Sequence, residues 1–108
     1  MAMTDLQLAV LTSLSSERRH GYAVVQAVQE ILHRNNVPLT TVYSCLEALA
    51  GRGLVEPHGD EVVNGRARRY FRITSAGRQA LESRAAELAY QVNAVRTYSV
   101  PSGGEALA

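Results

Sequence analysis

Asn64-Gly65 constrains the fold of this chain more than any other pair of residues. It favours a two-residue turn of type I′, whose backbone twist suits the arms of an antiparallel hairpin. With that turn at the tip, Val63 faces Arg66, Glu61 faces Arg68 and Asp60 faces Arg69. Such acidic–basic cross-strand pairs add roughly a few tenths of a kcal/mol each. Pro57 and Gly59 mark where the register should break, because neither sustains a ladder. The returning arm, Gly65-Arg66-Ala67-Arg68-Arg69-Tyr70-Phe71-Arg72-Ile73-Thr74, is loaded with arginine. Upstream, the stretch Thr40 to Leu49 has helical spacing, with Val42, Leu46 and Leu49 inward and Thr40, Thr41, Ser44 and Ala48 outward. Gly51 and Gly53 end it. A helix with a hydroxyl-rich face beside a cationic ribbon is a shape that reads a groove and holds the flanking phosphates.

The rest of the chain supplies the frame. Asp5 is the expected N-cap of a first helix with Leu6, Val10, Leu11 and Leu14 at helical spacing. A short polar link, Ser15 to Gly21, follows, with Gly21 expected to supply a turn conformation. The second helix is predicted from Tyr22 to Arg34, with Val24, Val25, Val28, Ile31 and Leu32 on a broad apolar face. Asn35-Asn36 and Pro38 stop it. The third helix, Leu39 to Ala50, comes so soon afterwards that the two must be crossing neighbours, the helix-turn-helix pattern. Thr74 caps a long fourth helix in which Leu81, Ala85, Leu88, Val92 and Val95 form a seam of the coiled-coil type. Little of the domain is left for that helix to pack on, so its far end asks for a partner chain. The fold class expected is mainly α with a small β-hairpin, a winged helix-turn-helix plus a C-terminal dimerisation helix. Its divisions are 1–75 for the DNA-binding unit, 76–98 for the dimerisation helix and 99–108 for a disordered tail.

At 108 residues the chain holds one core, not two. The net charge of +1 is silent about partners, but its distribution is not. Between Arg52 and Arg78, six Arg stand against Glu56, Asp60 and Glu61, an excess of +3 centred on the hairpin. Every basic residue is Arg, which grips phosphate bidentately, although base composition of the genome is the better account of the bias. A single cysteine, Cys45, excludes an internal disulfide framework. No leader-like segment opens the sequence and no apolar run approaches membrane-spanning length, so a reduced, cytoplasmic setting without a membrane partner is expected. There is no G-x-S-x-G, no phosphate-binding glycine loop and no carboxylate pair on a shared face, so enzymatic activity is not expected. His20, His33 and His58 lack ligand spacing, and neither a metal nor another cofactor is implied.

Three segments in order carry a family resemblance. His20-Gly21-Tyr22 after the Leu-rich first helix resembles the HGY signature of the PadR family of transcriptional regulators. Thr41-Val42-Tyr43, then Leu46, Leu49 and Gly53-Leu54-Val55, is similar to that family's recognition-helix pattern. Gly65 to Thr74 with Ala76-Gly77 resembles its wing. The resemblance runs from residue 6 to about 95 and fits the short branch, which has a single C-terminal helix. Arg19 stands where the family often has Pro, Thr40 where Gly is common and Ser44 where Pro is frequent. The last two lie on the reading face, so operator preference does not carry over. There is no Trp to build a stacked-ring ligand site. The resemblance implies a homodimeric regulator, usually a repressor, released from operator DNA by a small-molecule effector or another cue.

Thr40, Thr41, Tyr43 and Ser44 are the candidates for contacting double-stranded DNA from the third helix, the alternative being a capped and solvated helix start. Arg66, Arg68 and Arg69 are the candidates on the hairpin, against a strand merely paired with Asp60 and Glu61. Arg72 reads equally well as structural. His20 and Tyr22 read as turn and packing residues, and Cys45 as a small buried hydrophobe rather than a thiol switch. Tyr90 and Tyr98 are the aromatic candidates for an effector site between protomers, a placement that comes from the family's architecture. A winged-helix protein-interaction module that reads no DNA is the remaining alternative.

Overall fold

Thr4 closes the first helix through a reciprocal capping box. Its hydroxyl accepts from the Gln7 N–H at 3.1 Å, and the Gln7 side chain accepts from the Thr4 N–H at 3.1 Å. The cap is therefore Thr4 and not the expected Asp5, which is the first helical residue. The structure, a computed structural model, describes residues 3–99. Its elements are α1 (Asp5–Ser13), β1 (Arg19–His20), α2 (Gly21–Leu32), α3 (Leu39–Gly51), β2 (Val55–Val63), β3 (Arg66–Ile73) and α4 (Ser75–Tyr98). The tail expected from residue 99 lies outside the described residues except for Ser99.

The core forms where α1, α2 and α3 meet. Val10, Leu11, Leu14, Val24, Val28, Val42, Leu46 and Leu49 are fully buried there, joined by Ala9, Cys45 and Phe71. The eight fully buried residues are apolar positions that helical spacing singled out, so the hydrophobic stripe of each helix is what the fold removes from water. Ile31, expected on the apolar face of α2, lies at its exposed end and is 40% exposed. Helix α2 starts at Gly21, one residue before the expected Tyr22, and ends at Leu32, two residues short of the expected Arg34. His33 takes the left-handed conformation at its C-cap (φ 52°). Asn36 takes the same conformation (φ 62°), and the Gln29 side chain accepts from the Val37 N–H at 2.9 Å, tying down the link to α3.

Gly21 departs from the expectation that it supplies a turn. It is the first residue of α2, with His20 as N-cap, and its value is space. A Cβ there would stand 2.6 Å from the Tyr43 ring and hydroxyl. Only a bare backbone lets α3 lay that tyrosine across the start of α2.

The hairpin register is the one that Asn64-Gly65 implies. Val63 pairs with Arg66, Glu61 with Arg68 and Asp60 with Arg69, with Asn64 at φ 52° and Gly65 at φ 76° as a type I′ turn requires. A bulge interrupts β2 between Pro57 and Asp60, where Gly59 adopts φ 90°. One element was not expected: β1 adds a third strand, Arg19 opposite Phe71 and His20 opposite Tyr70, giving the antiparallel order β1-β3-β2. Two polar residues are too short a run to show strand periodicity.

Thr74 joins three elements at the base of the wing. Its hydroxyl donates to the Gly53 carbonyl at 2.6 Å and accepts from the Gly77 N–H at 3.0 Å, capping α4. Gly77 is buried against the Leu54 carbonyl, which a Cβ would overlap. Arg78 donates to the Ser15 carbonyl at 2.9 Å, Ala80 and Leu81 pack against the core, and only farther along does α4 leave the body. Its 24 residues span about 36 Å, and the molecule measures 66 Å along its longest axis. Leu81 and Leu88 of the seam are half-buried, while Ala85, Val92 and Val95 are exposed. No helix among the described residues is long and apolar enough to cross a membrane.

Candidate nucleic-acid interface

Strand alternation sorts the arginines of β3. Arg66 and Arg68 share one face of the ribbon with Tyr70, and Arg69 shares the other with Phe71. Arg66 and Arg68 border a groove of about 340 Å³ whose other wall is His20, Tyr22, Leu39 and Tyr43. The structure therefore brings together Tyr43, Arg66 and Arg68, three of the residues the sequence singled out. Arg69 lies apart, exposed and 3.8 Å from Asp60, a distance that leaves its guanidinium weakly held.

Helix α3 presents Thr40, Thr41, Ser44, Glu47 and Ala48 to solvent, opposite its buried Val42, Cys45, Leu46 and Leu49. Its N-cap is Pro38, and no side chain bonds to its first turn. The hydroxyls of Thr40, Thr41 and Ser44 are thus not spent on capping. The N–H groups of Leu39 and Thr40 stay open to an acceptor from outside, that of Thr41 bonding to the Pro38 carbonyl at 3.1 Å. Tyr43 is half-buried. Its ring lies over Gly21 and meets Phe71 edge-on, centroids 6.3 Å apart at 67°.

His20 lies where the groove, the cap and the wing meet. Nδ1 faces the Ala23 N–H at 3.3 Å as the cap of α2, and Nε2 lies 3.3 Å from Nη1 of Arg68. Arginine only donates, so both contacts require a lone pair on the ring. A neutral imidazole has one lone pair to offer, and the cation has none. Burial pushes the His20 pKa below its usual 6.5, and the Arg68 charge adds to that, with Glu61 opposing. Edge-to-face packing on Tyr70, 5.4 Å between centroids, holds the ring in place.

The expected Glu61–Arg68 ion pair does not form, although the backbones are opposite. Glu61 is engaged elsewhere: Tyr70 donates to Oε1 at 3.0 Å and Arg18 to Oε2 at 2.9 Å. That hydrogen bond, with burial, pushes the Tyr70 phenol up. Arg72 is structural, its Nε donating to Glu56 at 2.6 Å. Arg66 makes no ion pair among the described residues, which leaves a free cation at the tip. Arg18 escaped sequence reasoning because it precedes a strand that carries no signal. Cys45 is 7% exposed, and burial pushes its thiol pKa up. No cluster of three His, Cys, Asp or Glu that could hold a metal occurs among the described residues.

Comparison with known proteins agrees with this architecture. The family model described as the transcriptional regulator PadR-like family matches residues 10–83, well over half the chain. A PadR family transcription regulator from Clostridium difficile superposes with a TM-score of 0.72 at 18% identity, covering 88% of this chain and 98% of that one. Bacillus subtilis PadR, solved in complex with operator DNA, superposes with a TM-score of 0.64 at 20% identity over 76% of this chain and 47% of its own. At these identities the likeness is one of fold. An uncharacterised 37.1 kDa protein in transposon Tn4556 of Streptomyces fradiae is 33% identical over 101 residues, but the chain spans only 28% of that relative's length. The winged helix-turn-helix, the three motifs in their order and the matched span agree: the chain belongs to the transcriptional regulator PadR-like family, a family of transcription regulators and not of enzymes.

Proposed function

We propose that the protein is a cytoplasmic homodimeric repressor that binds operator DNA and leaves it when a small-molecule effector or another cue arrives. Residues 1–75 form the DNA-binding unit and 76–98 the dimerisation helix. The observation that carries this reading is the groove in which Arg66 and Arg68 of the wing face Tyr43, beside the exposed hydroxyl face of α3. The α3 face from Thr40 to Glu47 enters the major groove, where Thr40, Thr41 and Ser44 reach base edges and Tyr43 reaches the backbone. Arg66, Arg68 and Arg69 hold phosphates on either side of the ribbon. Bacillus subtilis PadR, which shares this fold, was solved in complex with operator DNA, and that supports operator DNA as the partner.

Dimerisation rests on α4. Tyr90, Val92, Val95 and Tyr98 are 76%, 50%, 62% and 84% exposed, a large apolar load for a helix left in water. Pairing two such helices sets the spacing of two recognition helices, about one helical turn of DNA apart. An effector bound between the protomers, against α1, α4, Tyr90 and Tyr98, changes that spacing and lowers operator affinity by mass action.

Fluorescence anisotropy with duplexes selected from a random library tests the reading. Sequence-specific binding that weakens steeply with added salt is expected. Equal affinity for scrambled duplex, or none, would leave the fold as a protein-interaction module.

A further inference from the structure

Arg18 crosses the whole sheet. It precedes β1, yet its guanidinium lies 4.1 Å from the centroid of Tyr70 on β3. From there Nη1 donates to the His58 carbonyl at 3.0 Å and Nη2 to Oε2 of Glu61 at 2.9 Å, both on β2. The bulge makes room for this. Gly59, at φ 90°, brings its backbone so near that a Cβ would stand 2.9 Å from Nη1 of Arg18. Glu61 closes the arrangement by accepting the Tyr70 hydroxyl at 3.0 Å.

The position of these contacts gives them their meaning. β1 pairs only with Tyr70 and Phe71, so from Asp60 to Arg69 the wing is a two-stranded ribbon without a third strand. Such a ribbon is marginal on its own and free to swing. Arg18 meets it where the bulge would otherwise act as a hinge, holding it by a forked pair of donors and by its stacked plane.

We propose that Arg18 is a positioning residue for DNA binding: by strapping β2 across β3 to the segment that starts α2, it fixes the angle at which Arg66 and Arg68 are presented. This rests on the DNA-binding reading above. Fixing the ribbon before contact removes an ordering cost that each binding event would otherwise bear. Glu61 is the anchor of the strap, so its negative charge favours binding to a polyanion.

That sign makes the proposal testable. Charge alone predicts that Glu61→Ala tightens DNA binding, because it removes a negative group. The strap predicts that Arg18→Ala and Glu61→Ala each weaken operator binding by about three- to tenfold. The double variant should then be no weaker than Arg18→Ala alone, since that change already removes every contact of the strap and leaves Glu61 nothing to anchor. In the free variants, amide exchange should rise from Asp60 to Arg69 and stay unchanged in α2 and α3. Anisotropy on a labelled duplex selected from a random library by the wild-type protein, with hydrogen-exchange NMR, reads all of these. Tighter binding by Glu61→Ala, additive losses, or unchanged exchange at the hairpin overturns the proposal while wild-type binding stands. If the wild-type protein selects no duplex, the DNA-binding reading falls and this one with it.

Discussion

Arg68 reaches the groove from the wing, and Thr41 stands exposed on the outer face of α3. Their chemistry assigns them different parts. A guanidinium on phosphate contributes to every sequence alike, whereas a hydroxyl at a base edge contributes to one sequence over another. Arg68→Ala is therefore expected to weaken binding to operator and random duplex equally and to flatten the salt dependence by about one ion. Thr41→Ala should instead narrow the gap between the two duplexes at constant salt slope. Salt titrations of both variants decide the assignment. His20 supplies a second prediction at this scale. Its pKa is lowered in the fold, by burial first and Arg68 second, so the native state favours the neutral ring. The unfolded chain takes up a proton near 6.5 while the folded chain resists it. The contribution is thus complete above that value and is lost as pH falls through the folded pKa. His20→Asn keeps a capping side chain that does not titrate. The thermal midpoint of wild type relative to His20→Asn should be level above neutral pH and decline on acidification.

At the scale of elements, α2 and α3 approach through Gly21 and Tyr43. Gly21→Ala drives a methyl into the Tyr43 ring and is expected to cost about 1–3 kcal/mol in urea unfolding. In a Tyr43→Ala background the same change should be nearly neutral, because the obstruction is gone. Neither the need for Gly21 nor its partner is legible from spacing, since the ring comes from an element 22 residues away in sequence. What was legible is what local rules decide. The turn at Asn64-Gly65 set the register of the hairpin, and Thr74 set the start of α4. Apolar spacing picked out most of the buried residues of α1, α2 and α3, missing Ala9 and wrongly including Ile31. What was missed depends on long-range geometry. β1 exists because β3 offers Arg19 and His20 an open edge at Phe71 and Tyr70, and Arg18 has meaning only once that strand is in place. Glu61 was matched to Arg68 by register, yet Arg18 and Tyr70 hold it. Of the candidate interface, the exposed face of α3 followed from helical period alone, whereas the contact of Arg68 with His20 did not.

For the whole molecule the decisive fact is that α4 outgrows the body that anchors it. Its distal half carries Tyr90, Val92, Val95 and Tyr98 in contact with solvent. Association by that half would link stability to protein concentration, as with any partner bound only by the native state. Val92→Glu combined with Val95→Glu should shift the mass in light scattering from dimer to monomer and remove the concentration dependence of the thermal midpoint. The winged unit should keep its circular dichroism. Operator affinity should fall at least tenfold, because two half-sites are no longer engaged together. Cys45 has a consequence on the same scale. The sole thiol of the chain sits under α3, shielded and with its ionisation suppressed. An alkylating reagent finds it only when α3 lifts from its seat. The pace of that modification is therefore a clock for how often the molecule lets go of the face proposed to meet DNA, and cognate duplex should slow it.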